Sequence, residues 1–113
     1  MTYYQLLELK HSYYAIITSL LWNQRSIISN WPGASFVKIE VTPEEELMLS
    51  FIKAIKDYEE LVNNNEFIFR LCDMLEGLVN RESIEYCTHY DLERAKRIIN
   101  EVHKYKGVIS STV

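Results

Sequence analysis

Glu8 and His11 stand three residues apart, the spacing by which helical bundles bring a carboxylate and an imidazole to one face for a di-iron or di-manganese site. Such a site needs that pair on two helices and two further inward glutamates. The chain has no second copy: Glu85 and His89 are one residue too far apart, and Glu101 and His103 one too close. The other acids, Glu44, Glu45, Glu46, Asp73 and Glu76, close no ligand set either. The first three sit where a helix N-terminus favours acid, and the last two lie between Arg70 and Arg81 as ordinary surface neighbours. No metal and no cofactor is expected.

Nucleophilic chemistry is equally poorly provided. Cys72 falls on the apolar side of its helical pattern, and Cys87 has only His89 nearby as a basic partner, so buried structural thiols are expected. No serine stands in a glycine-flanked elbow, and no glycine-rich loop with a lysine is present to cradle phosphate. No catalytic residue is named, and an enzyme is the less favoured class.

Two features point to binding. Between residues 94 and 106 the cations Arg94, Lys96, Arg97, Lys104 and Lys106 face one acid, Glu101. A helix-turn-helix template places its turn at Thr88 and His89 and its inward positions at Ala95 and Ile98, so Arg94, Lys96 and Arg97 would contact DNA. The template prefers a small residue where Glu85 stands and glycine where His89 stands. The simpler alternative is an amphipathic last helix whose basic end complements its own dipole. The second feature is aromatic: Tyr3, Tyr4, Tyr13, Tyr14, Trp22 and Trp31 all fall in one N-terminal helical pattern, and these residue types suit interfaces because they bury area while keeping a polar tip.

The elements that position these residues follow from periodicity. From residue 2 to residue 30 the polar residues Gln5, Glu8, Ser12, Ser19, Asn23, Ser26 and Asn30 form one narrow stripe, and most of the other positions are apolar. An arc that wide implies contact on two sides, as the centre of the domain or as a dimer seam. Pro32 and Gly33 are expected to end this helix. Residues 36–41 alternate in the manner of a short strand, with Val37, Ile39 and Val41 on one side, and are expected as an extended link or a two-strand ribbon with the tail after Gly107.

Thr42, Pro43 and Glu45 open a second helix through an N-cap, a proline at the first position and a glutamate three after the cap. Its apolar face runs through Phe51 and Tyr58 to Val62. The triple asparagine at 63–65 reads as a turn, and a third helix carries Phe67, Ile68, Leu71, Cys72, Leu75 and Leu78 inward. It either breaks or continues near residues 80–83. A last helix ends at Gly107, with a turn at Thr88 as one alternative and an unbroken helix as the other.

Composition bounds the whole. The chain has 113 residues with only three glycines and two prolines, against roughly 12% usage for that pair in average proteins. Few turns mean long elements. A net charge of −4 disfavours non-specific nucleic-acid binding, and 48% hydrophobic residues favour folding as one domain. The apolar run from Tyr13 to Trp22 is too short to span a bilayer, which needs about twenty residues, so no membrane association is expected. Two cysteines without a pairing motif fit a reducing, cytoplasmic setting. Ile, Asn, Lys and Tyr are abundant and their codons AT-rich, which suits a phage or mobile-element source.

The expected fold is therefore an all-α antiparallel bundle of about four helices with a short extended segment between the first two. The expected role is a non-enzymatic regulator or inhibitor that binds another protein through a helical face and forms a homo-oligomer, most simply a homodimer. The alternative is a helix-turn-helix DNA-binding regulator.

Overall fold

A computed structural model of the chain describes residues 1–30 and 41–111, and every regular element in it is helical. The elements are α1 (Tyr3–Asn30), α2 (Pro43–Ala54), α3 (Tyr58–Leu61), α4 (Asn65–Val79), a 3-10 helix (Glu82–Tyr86) and α5 (His89–Ser111). The strand expected at 36–41 lies outside the described residues except for Val41, which is buried. Trp31 and the Pro32–Gly33 stop lie outside them too. Among the described residues no helix is long and apolar enough to cross a membrane.

Local chemistry sets the helix starts. At α1 the Thr2 hydroxyl accepts from the Gln5 amide at 3.1 Å, and the Gln5 side chain accepts from the Thr2 amide at 2.9 Å, a reciprocal capping box. Thr42 and Glu45 make the same exchange at α2, with Pro43 in the first turn, as the sequence predicts. Asn64 caps α4 by accepting from the Phe67 amide, so the asparagine run is a turn. Thr88 caps α5 by accepting from the Asp91 amide, which selects the turn alternative there.

Two boundaries differ from the sequence pattern. The second helix was expected to run to Val62, but α2 ends at Ala54, Ile55 is extended, and α3 restarts at Tyr58. Asp57 accepts from the Glu60 amide, offering the backbone a new start, while the Tyr58 hydroxyl donates to the Ile52 carbonyl that the early ending leaves exposed. At the other end, Gly107 does not stop the last helix. Its backbone stays helical and α5 runs on to Ser111, so the β-rich tail is helical through that residue.

The core forms around α1, which packs against α2, α3, α4, the 3-10 helix and α5, while α4 and α5 also pack on each other. Its inward residues are Leu6, Leu9, Tyr13, Ile16, Ile17 and Leu20. They meet Leu49 and Ile52 of α2, Ile68, Leu71, Leu75 and Leu78 of α4, and Ala95, Ile98 and Val102 of α5. Each large side chain buried in this way contributes about 1.5–3 kcal/mol. Tyr105, near the end of α5, donates its hydroxyl to Asn65 at the start of α4, so those two helices run antiparallel.

Candidate interaction surfaces

The residues that might have carried chemistry are engaged in structure. Both carboxylate oxygens of Glu8 accept from Arg94, at 2.6 and 2.9 Å, and Arg97 lies 3.6 Å from the same group. The Arg94 hydrogen bond holds the Glu8 carboxyl below its ordinary range despite partial burial. His11 is shifted downward by desolvation and by the Arg94 and Lys10 charges, which favours the neutral imidazole. Glu8 therefore belongs to the α1–α5 contact, while His11 is exposed. Glu45 is turned inward, with one oxygen accepting from the Thr42 amide and the other held by Arg81, and Glu76 faces His103 at 3.2 Å. No three His, Cys, Asp or Glu residues gather among the described residues.

Both thiols are buried. Desolvation pushes Cys72 up to about 12 and raises Cys87, whose sulfur sits 4.0 Å from the Ile16 carbonyl oxygen. A thiolate nucleophile at either position is chemically disfavoured.

The basic segment is divided. Arg94 is held by Glu8, whereas Lys96 and Arg97 are exposed on α5. The element before the Thr88 turn is a five-residue 3-10 helix, shorter than the first helix of a helix-turn-helix unit. Of Arg94, Lys96 and Arg97, the last two thus keep their side chains exposed to solvent, Arg97 with its outer guanidinium nitrogen 3.6 Å from Glu8.

The aromatic set resolves into core and surface. Tyr13 is fully buried and its hydroxyl donates to the Glu45 carbonyl at 2.8 Å, so it is a core residue and unavailable to a partner. Tyr4 is 80% exposed and Trp22 74%, and Tyr3 and Tyr14 are also exposed. At helical spacing these four share one side of α1 with Leu7, His11, Ala15 and Thr18. The Thr18 hydroxyl is turned back onto the Tyr14 carbonyl. The two charged residues of α1 before position 24 turn aside, Glu8 to Arg94 and Lys10 over the Tyr58 ring. The outer side of α1 is consequently an aromatic strip of about 27 Å from Tyr4 to Trp22 at helical rise, free of α1's own Asp, Glu, Lys and Arg side chains but with the Lys53 ammonium of α2 5.4 Å over the Tyr14 ring.

The polar stripe, by contrast, does not mark the solvent side. Ser12 is 1% exposed and its hydroxyl has no hydrogen-bond partner among the described residues, and Glu8 beside it points at α5. The apolar arc spans both sides of this stripe. One side fills the core and the other faces outward.

A second apolar surface, not foreseen from the sequence, is a groove of about 560 Å³ between α2 and α4, lined by Leu47, Met48, Phe51, Phe67 and Met74. The Phe51 and Phe67 rings meet across it at 5.5 Å. Leu47 is 71% exposed and Phe51 49%. The signal was present: Leu47 and Phe51 are a helical turn apart, on the flank of the face that buries Met48 and Ile52.

No protein-family model matches the chain, and no curated protein or solved structure shows significant similarity to it.

Proposed function

We propose that the chain is a small non-enzymatic binding protein that regulates or inhibits another protein by engaging it through the outer side of α1. The observation that carries this reading is the exposed aromatic strip containing Tyr3, Tyr4, Tyr14 and Trp22, from which α1's own charged side chains turn aside. A helix in contact with water on one side ordinarily places charge there, and α1 places its charges elsewhere. Aromatic side chains on a rigid helix supply contact area with little ordering cost, and an amphipathic partner helix laid along the strip is the simplest complement. A phage or mobile-element source and a cytoplasmic setting fit the composition.

The test is retention of proteins from the native host by the immobilised chain, in parallel with a Tyr4→Glu/Trp22→Glu variant of unchanged helicity. A defined protein held by the wild type and lost from the variant is expected. Equal retention by both, or by neither, overturns the reading. Salt-sensitive retention of DNA that disappears in Lys96→Ala/Arg97→Ala would favour the nucleic-acid alternative instead.

A further inference from the structure

The α2–α4 groove is separate from the α1 strip and carries its own complement. Leu47 projects from the α2 wall as a knob, and the groove beside it, lined by Met48, Phe51, Phe67 and Met74, has room for side chains of a second copy. The walls also differ in charge: Glu44 lines the groove from α2 and Arg70 from α4. A two-fold interface brings one patch onto its own copy, so a patch that closes on itself must hold knob and hole, acid and base together. A foreign partner makes no such demand, because its own charges need only complement this patch and not repeat it.

We infer that this groove is a homodimer interface in which α2 of one copy lies on α4 of the other, Leu47 enters the partner's groove and Glu44 faces the partner's Arg70. The two-fold axis runs along the groove, which crosses α2 onto α4 twice and pairs both charges. Lys53, on the other side of α2, stays over the Tyr14 ring at 5.4 Å, so the dimer leaves the α1 strip open.

Sedimentation equilibrium at micromolar concentrations tests this with four variants. The wild type is expected at twice the chain mass. Leu47→Asp, whose site is mostly exposed and dispensable to the core, is expected to weaken association roughly thirtyfold or more with circular dichroism unchanged. Glu44→Arg and Arg70→Glu are each expected to weaken it roughly tenfold by placing like charges together, and the double swap to restore it. A monomeric wild type, a dimer indifferent to Leu47→Asp, or a double swap no better than its singles overturns the inference. None of these outcomes depends on the α1 strip, whose own test is retention of a different protein.

Discussion

The guanidinium of Arg94 grips both carboxylate oxygens of Glu8 across 86 residues of sequence, and this fork joins the polar edge of α1 to the second turn of α5. It converts a spacing that suggested a metal ligand and a cation that suggested DNA contact into one interhelical tie. Its effect on stability has a definite pH dependence. Because the folded Glu8 carboxyl is held below its ordinary value of 4.5, its contribution is present at neutral pH and is lost as pH falls through the folded value. Partial exposure limits it to about 1 kcal/mol. Urea unfolding should therefore find Glu8→Gln less stable than wild type by about that amount at pH 7, with the gap closing in acid below 4.5. A gap that persists or widens in acid would contradict the ion-pair account.

A second tie joins α2 to the end of α4. Glu45 is 5% exposed, held by Thr42 and Arg81, while its carbonyl accepts from the buried Tyr13 hydroxyl. Tyr13→Phe leaves that carbonyl without this donor and should cost about 1 kcal/mol, and Arg81→Ala strands a buried carboxylate and should cost about 2 kcal/mol or more. Chemical denaturation of the two variants measures both, and equal small losses would show that Glu45 is better solvated than its burial implies.

Ser12 presents the opposite case, a buried hydroxyl without a partner among the described residues. Ser12→Ala removes the desolvated group at nearly constant shape, so it should be neutral or stabilising by up to about 1 kcal/mol. A loss of stability on calorimetric melting would reveal a hydrogen bond at that oxygen.

Gly77 and Gly107 both stand inside helices, and a methyl group at either would meet nothing within 4 Å. The sequence suggested a helix stop at Gly107, which the helical backbone removes, and the open space at Gly77 leaves no packing reason for glycine there. Gly77→Ala and Gly107→Ala should each stabilise by about 0.5–1 kcal/mol, seen as a raised melting temperature. Destabilisation of either would mean its backbone is not helical.

Native thiol labelling should be slow at both cysteines and become rapid only in denaturant, since burial raises both and carries Cys72 to about 12. Rapid labelling of the folded chain at neutral pH would reopen a nucleophilic role.

The class of fold and most helix starts were legible in the residues. Thr42 with Pro43 and Glu45, and the turn before α4, rest on interactions within three or four positions, which a sequence displays directly. Boundaries governed by distant or competing partners were not. The early end of α2 depends on Tyr58 reaching the Ile52 carbonyl, and the passage of α5 through Gly107 on a residue whose type favours stopping but does not require it.

What the sequence determined by itself was that the chain is helical and that α1 is apolar on more than one side. Only the tertiary structure decided which apolar side of α1 is core. Periodicity records which residues gain from leaving water, and on α1 two arcs flank a single polar stripe with nearly equal claim. The choice fell to what packs opposite: α4 and α5 cover the arc of Leu9, Tyr13 and Ile16, Arg94 draws the polar edge inward through Glu8, and the arc of Tyr4, Tyr14 and Trp22 is left facing outward.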